Sequence, residues 1–274
     1  MTPTAQRAAV GYLETTYSLS ERRACRLAGA HRTMIRYRRR VKSDEAHLRE
    51  RLRLLAGERP RWGYRRLHVL LKREFGVINH KRVYRLYREE GLLMRRRKRK
   101  RVAFVPRGAQ PQTWKRGEAW SMDFMQDVLI DGRRFRTLNI LDLVTRECLA
   151  IEVDTSLPGQ RVTRVLDQLV SWQGAPKQIT VDNGPEFAGQ VLDAWAYAHG
   201  VTLDFIEPGK PTQNAHIESF NGRFRDECLD LHWFGSLAHA RTIIQSWKED
   251  YNTQRPHSAL QQQAPAVYAR SLAT

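Results

Sequence analysis

Cysteine is scarce in this chain. Three residues, Cys25, Cys148 and Cys228, stand far apart in 274. The odd count speaks against a disulfide framework, and without a close pair there is no zinc-ligand spacing. A reducing cytoplasm is the compartment this implies. Long apolar runs are also missing. No uncharged stretch reaches the roughly 18 residues that a membrane span needs. The N-terminus, MTPTAQRAAVGYLETTY, has no apolar signal core. Acidic residues are few in the first part of the chain: residues 1–107 hold 31 Lys and Arg against 9 Asp and Glu, a net of 31 − 9 = +22.

The remainder is different. Residues 108–274 hold 16 basic and 20 acidic residues, a net of −4, which brings the whole chain to +18. Such asymmetry points to a polyanion-binding module joined to something else. A membrane surface would also attract the charge, but amphipathic anchors and lipidation signals are absent. Hydrophobic residues are 41% of the chain and charged residues 28%. That balance favours folded domains over disorder. The length fits one large domain or two modest ones.

The basic part reads as helical. In SERRACRLAGAHRTMIRYRRR (20–40), Ser20 is placed to cap a short helix, Gly29–Ala30 to turn, and a second helix to end in Arg38, Arg39 and Arg40. An ordinary helical hairpin fits the same pattern. A second unit follows over 61–93. Leu67, Leu70, Leu71 and Phe75 recur at steps of three and four, Gly76 stops that helix, and Asn79 can cap the next. There Val83, Leu86 and Tyr87 repeat the apolar spacing, while Lys81, Arg82, Arg85 and Arg88 take the other positions. A basic second helix suits a DNA groove or phosphates, with Arg82 and Arg85 as candidate contacts. A solvated basic face is the plainer alternative.

Seven uninterrupted bases follow: Arg95, Arg96, Arg97, Lys98, Arg99, Lys100 and Arg101. Like charges at this density do not fold against one another, so the run is expected to be a linker or arm on DNA phosphates. It also fits a nuclear-localisation signal or a bare spacer. The expected division is a helical segment with helix-turn-helix over 1–58, a second helix-turn-helix over 59–94, the basic linker over 95–113, a core over 114–232 and a helical extension over 233–274.

Beyond the linker the texture changes. WSMDFMQDVL, FRTLNILDLVT and CLAIEVD predict three successive antiparallel strands. A helix over 159–173, a strand over 177–181, a helix over 186–199, a strand over 201–206 and helices over 214–230 and 237–251 follow. Together they predict an α/β fold, a mixed sheet with flanking helices, preceded by an all-α DNA-binding region. Six tryptophans, Trp114, Trp120, Trp172, Trp195, Trp233 and Trp247, are read as core.

Three acids stand out. Asp123 interrupts the first strand, Asp182 directly follows an apolar strand, and Glu218 lies on the helix HIESFNGRFRDECL at the edge of a stripe formed by Ile217, Phe220, Phe224 and Cys228. Asn214 and Arg225 share the Glu218 stripe. Two carboxylates about 4 Å apart repel by roughly 4 kcal/mol at an effective dielectric of 20, so a converging trio calls for a cation. Hard oxygen ligands suit Mg2+ or Mn2+. A pair of such ions clamps the attacking and leaving oxygens of a phosphoryl displacement. Each acid has a plainer reading: a strand-edge hydrogen bond for Asp123, a turn at Asn183–Gly184 for Asp182, a pair with Arg225 for Glu218. Asp142, at a strand end, is read as structural.

Together RPRWGYRRLHVLL, the basic run, WSMDF, LNILDLVTRECLAIEV, VDNGPEF, GKPTQNAHIESFNGRFRDECL and YNTQRPHSAL resemble the DDE transposases of the IS-three insertion-sequence family, OrfB type, over most of residues 20–265. Between Asp182 and Glu218 lie 35 residues, as in that family's D,D-35-E pattern. The resemblance implies an RNase H-like, retroviral-integrase-like core with Asp123, Asp182 and Glu218 as metal-binding catalytic acids. It implies hydrolysis at an element's end and strand transfer by the freed 3′-hydroxyl. It further implies double-stranded DNA as partner, a dimer or larger assembly to pair two ends, and a possible OrfA partner or fusion, in a bacterial cytoplasm near the nucleoid. Lys210, Asn214, His216, Asn221 and Arg225 flank the helix acid and are read as touching DNA or orienting it, with Lys210, Asn214 and Arg225 the candidate DNA contacts. The rival readings are a non-catalytic DNA-binding regulator or decayed copy, and a nuclease without strand transfer.

Overall fold

The computed structural model describes residues 1–37, 43–94, 114–184, 187, 189–207 and 214–272. The basic run 95–101, Lys210 and Arg38–Arg40 lie outside them. The chain divides into two compact units, 1–50 and 51–274.

In the first unit α1 (Pro3–Tyr17), α2 (Glu21–Leu27) and α3 (Arg32–Arg36) close around Val10, Ala24 and Cys25, with Leu13, Leu19 and Ile35 packed against them. Arg7 reaches across to donate to the Met34 carbonyl at 2.9 Å, and Arg32 and Arg36 share Glu21. Two expectations need correction. Ser20 occupies the N-cap position of α2 but makes no side-chain capping bond, and α3 stops at Arg36. The short α3 has no buried residue of its own, so the unit rests mainly on α1 and α2; α1 falls in the segment expected to be helical, though its bounds were not drawn.

A helix at the unit boundary, α4 (Glu45–Glu58), leads into α5 (Tyr64–Phe75) and α6 (His80–Glu89). Leu67, Leu70 and Leu71 of α5 and Val83, Leu86 and Tyr87 of α6 are buried, as the spacing predicts. Gly76 ends α5 at φ +77°. That conformation suits only glycine comfortably. Asn79 caps α6 by accepting from the Lys81 amide at 2.9 Å. Arg51 bonds Glu74 at 2.7 Å and Arg53 bonds Glu90 at 2.7 Å, fastening the helices to one another.

The core is a five-stranded sheet in the order β3-β2-β1-β4-β5. The strands are β1 (Ala119–Val128), β2 (Arg134–Asp142), β3 (Cys148–Asp154), β4 (Gln178–Val181) and β5 (Thr202–Phe205). The first three are antiparallel neighbours, and β4 and β5 add in parallel. Against one face pack α7 (Gly159–Gln173) and α8 (Gln190–His199), and against the other α9 (Ala215–Glu227) and α10 (Leu237–Thr253). Alternation on β1 sorts the faces: Trp120, Met122 and Phe124 point to α7 and α8, so Ser121, Asp123 and Met125 point to α9. Helix α9 ends at Glu227, three residues before the expected boundary, and a single 3-10 turn, Leu229–Leu231, follows. The chain closes with a turn at Ser258–Leu260 and α11 (Pro265–Ser271).

Two tryptophans depart from expectation. Trp172 is 87% exposed because it lies with Ser171 and Gln173 on the open end of α7, beyond Val170, which packs against the core. Trp233 is 83% exposed because Phe234 next to it takes the inward place, packing edge-on against Phe135.

Glu227, at the end of α9, joins distant parts of the second unit. It accepts from Arg255 at 2.8 and 2.6 Å, from Arg66 at 3.1 Å and from the Trp62 indole at 3.3 Å. Arg255 is almost wholly buried. Removing its counter-ion therefore strands a buried cation. Glu227→Gln is expected to lower the unfolding free energy by about 3–5 kcal/mol. Denaturant titration followed by circular dichroism measures it; an unchanged midpoint would refute this account of the junction.

Candidate active site

Asp123 sits in the middle of β1, opposite Asn139 of β2. Its two oxygens have different partners: Oδ1 accepts from the Phe124 amide at 2.7 Å and Oδ2 from the Asn221 side chain at 2.6 Å. Asn221 in turn accepts from Asn139 Nδ2 at 2.7 Å. Asn139 is fully buried, so this relay fixes the orientation of Asn221 and through it the acid. Neither Asn139 nor Ser121 was singled out from sequence. The available signal was polarity in the wrong place, since each is a hydrogen-bonding side chain on an inward position of an apolar strand.

The placement of Asp182 follows from register. The β1–β4 ladder pairs Ala119 with Gln178, Trp120 with Ile179 and Ser121 with Thr180. Two residues further along, the same offset sets Asp182 opposite Asp123 on neighbouring strands, which run about 4.8 Å apart. Asp182 also makes the turn that its plainer reading required, accepting from the Gly184 amide at 3.0 Å. Asn183 donates to the Ile206 carbonyl at 2.7 Å, fixing the loop to the end of β5.

Glu218 is positioned by its neighbours on α9. Ile217, Phe220 and Phe224 are fully buried and hold the helix on the sheet. Each such side chain is worth about 1.5–3 kcal/mol. Asn214, Glu218, Asn221 and Arg225 form the adjacent stripe at steps of four, three and four. Three of these four are fastened to β1. Asn214 accepts from the Ser121 hydroxyl, Asn221 holds Asp123, and Arg225 donates to the Gln126 carbonyl at 2.9 Å and lies 3.6 Å from Asp127. Glu218, between Asn214 and Asn221, is exposed and completes the group. Asn214 is buried against Ser121 and Arg225 bonds the Gln126 carbonyl, so of the two roles the sequence allows them, touching DNA or orienting the acid, these contacts suit the second.

Burial and the charges of Asp182 and Glu218 push the Asp123 carboxyl up to about 6, against the opposing pull of its Phe124 and Asn221 bonds. Among the described residues no three acid, histidine or cysteine side chains stand close enough together to grip a metal ion. Asp182 and Glu218 lie near enough for their charges to act on Asp123. Asp142 is a different case. It is buried, and its oxygens accept from the amides of Gly117, Val144 and Thr145 and from the Thr145 hydroxyl, which makes it the structural residue it was taken for. Arg85 lies 3.5 Å from Glu89 on its own helix.

These features are those of an integrase-type nucleic-acid transferase. Family models for an integrase core domain match residues 115–211 and 199–265, and one for an HTH-like domain matches 42–100. The chain is 50% identical to the uncharacterized 31.7 kDa protein of insertion element IS407 from Burkholderia multivorans, over 92% of this chain and 91% of that one. It is 27% identical to transposase InsD of insertion element IS2 from Escherichia coli, over 84% and 81%. In fold it is similar to a chain of the simian T-cell lymphotropic virus intasome solved in complex with PP2A regulatory subunit B56 gamma. The TM-score is 0.50 at 14% identity, over 80% of this chain and 74% of that one. The chain belongs to the IS-three family of DDE transposases. Its activity is accordingly that of a DNA transposase, and the integrase-core family carries a requirement for a divalent cation. No helix among the described residues is long and apolar enough to cross a membrane.

The raised Asp123 carboxyl has a measurable consequence. Its folded value lies above its ordinary 3.8, so ionisation weakens the fold. That penalty is absent below about pH 3.8 and fully present above about pH 6. With chelator present, Asp123→Asn is expected to stabilise the protein at pH 7.5 by on the order of 2 kcal/mol and much less near pH 4. Calorimetric melting at both pH values measures it. Equal effects at both would mean the carboxylate is not under strain.

Proposed function

We propose that Asp123, Asp182 and Glu218 are the catalytic acids of this transposase and hold its divalent cations. The observation that carries the reading is positional: Asp123 on β1, Asp182 just past the end of the neighbouring parallel strand β4 with its charge acting on Asp123, and Glu218 in a helix stripe otherwise fastened to β1. The donor set is all carboxylate, which suits Mg2+ or Mn2+, and a pair of ions fits three such ligands. When bound, the cations neutralise the acids and polarise the phosphodiester. Asp123, oriented by the Asn139–Asn221 relay, and Asp182, held by its turn, supply fixed oxygens. Glu218, exposed on α9, supplies one that can adjust to the DNA.

The reaction assigned to this site is hydrolysis at an insertion-sequence end, followed by attack of the freed 3′-hydroxyl on a second phosphodiester. No nucleotide cofactor is required, because one phosphodiester replaces another. Arg82, Arg85 and the run Arg95–Arg101 are proposed to hold the DNA backbone, with Lys210 close to the helix acid in sequence. Pairing two ends needs two copies of the chain at least. An OrfA partner, a cytoplasmic, nucleoid-associated setting and the five-part division 1–58, 59–94, 95–113, 114–232 and 233–274 complete the proposal.

Asp182→Asn is expected to abolish joining of end-containing DNA in Mg2+ while leaving DNA affinity within about twofold. A gel-based joining assay beside an anisotropy titration separates the two. Joining by the variant at parental rate would remove Asp182 from the site, and cleavage by the parent without joining would favour a nuclease. Binding by the parent should also weaken steeply with salt, by about 0.9 log units per phosphate contact for each log unit of salt. A flat salt response would count against the basic residues as phosphate contacts.

A further inference from the structure

On the other flank of α9 lies a cavity of about 470 Å3 that the proposed chemistry does not use. His216, Ser219 and Arg223 face it, whereas Asn214, Glu218, Asn221 and Arg225 face β1; the buried stripe of Ile217, Phe220 and Phe224 runs between the two sets. The cavity gathers positive charge. Arg66, Arg146, Arg223 and Arg255 all line it, with His257 among them.

The only carboxylate bonded to these arginines among the described residues is Glu227, and Arg66 and Arg255 share it. Arg223 bonds the buried Tyr251 hydroxyl instead. The carboxylate nearest in charge to Arg146 is Asp142, whose oxygens already serve three backbone amides and a hydroxyl. One guanidinium nitrogen of Arg146, Nη1, is buried with no hydrogen-bond partner. Like charges crowd the pocket strongly. Burial and Arg255 pull Arg66 down to about 10, and burial and the four arginines pull His257 down to about 2, so His257 is neutral and accepts from Arg255 at 3.4 Å.

Backbone geometry gives a second, independent indication. Arg146 has φ +61°. This is the left-handed conformation that non-glycine residues adopt at a cost. The Thr145–Arg146–Glu147 turn would be eased by Gly or Asn there. Strain of this kind persists where the side chain serves a purpose.

We propose that this cavity binds a phosphate of the DNA strand, with Arg146 and Arg223 as its ligands, on the side of α9 away from the acids. The inference rests on the reading of the chain as a DNA strand transferase. A volume of this size exceeds what a lone phosphate needs and suits a nucleotide, so a phosphate with its attached sugar is the occupant. A helix with its side chains is about 10–12 Å across, and a DNA strand rises about 3.4 Å per nucleotide. The bound phosphate therefore lies on the order of 10 Å from the one at the acids, across the width of α9. The pocket serves as a ruler, gripping the strand at a fixed distance from the scissile bond.

The test uses the full chain, fluorescein-labelled end-containing DNA and two variants. Arg146→Gly removes the guanidinium and relieves the left-handed backbone, so it is expected to fold with an unchanged or higher melting temperature; Arg223→Gln removes the second ligand. Each is expected to weaken DNA binding about tenfold, the worth of one charge-assisted phosphate bond, and to reduce the salt slope by about 0.9. Inorganic phosphate at millimolar concentration should raise the melting temperature of the parent and not of Arg146→Gly. Unchanged DNA affinity and salt slope in Arg146→Gly would overturn the proposal, whatever its melting temperature. Phosphate protection without a change in DNA affinity would also overturn it, leaving a site for a free anion. Asp182→Asn serves as the control: if it still joins DNA, the assignment of the acids fails while the affinity and salt results for the pocket stand.

Discussion

Asp123 is a carboxylate on the inward face of a central strand, and much of the second unit is arranged around that cost. Burial and two neighbouring acids resist its ionisation, while the Phe124 amide and the Asn221 side chain support it. Asn221 can do so only because Asn139 behind it holds the amide in one orientation. A half-buried carboxylate beside two other acids has to be fixed by its surroundings. Here the surroundings are hydrogen bonds from a strand and a helix, so the acid keeps its direction whatever its protonation state.

The same constraint accounts for the way α9 is mounted. Its apolar stripe supplies adhesion to the sheet, but adhesion alone leaves a helix free to slide or roll by a fraction of a turn. Ser121–Asn214, Asp123–Asn221 and the contacts of Arg225 to Gln126 and Asp127 fix both its register and its roll along β1. Glu218 is the unfastened member of that stripe, so its position is inherited from the other three. On the opposite flank, the buried Glu227–Arg255 pair and the arginine cavity tie α9 to α5 and to the segment after α10. One helix thus separates a face with three acids from a face lined by arginines.

Several features of this arrangement were legible in the sequence because they obey local rules. Charge segregation divided a basic helical part from a balanced α/β part, since counting needs no geometry. Period-two and period-3.6 patterns located the five strands and the helices of the core, and Gly76 and Asn79 marked the break between α5 and α6. Asp123, Asp182 and Glu218 were visible as charges in apolar settings at a family spacing. The bounds of α1 were not visible within the expected helical segment, because its thin apolar stripe is hard to tell from a surface segment. Trp172 and Trp233 misled for a related reason: a large aromatic residue is usually buried, but a helix end open to solvent and an inward-facing neighbour decided otherwise.

What only the tertiary structure decided is which side chains meet. The offset that sets Asp182 opposite Asp123 is a property of a parallel ladder between strands some sixty residues apart, and no local pattern encodes it. The same holds for Asn214 and Arg225, whose contacts to β1 appear only once α9 is laid on the sheet, and for Asn139, whose role exists only because α9 lies across it. Arg66, Arg146, Arg223 and Arg255 look in sequence like four unrelated bases. They become one cavity because chain folding brings charges together without regard to their separation along the chain, and electrostatic energy depends on distance in space.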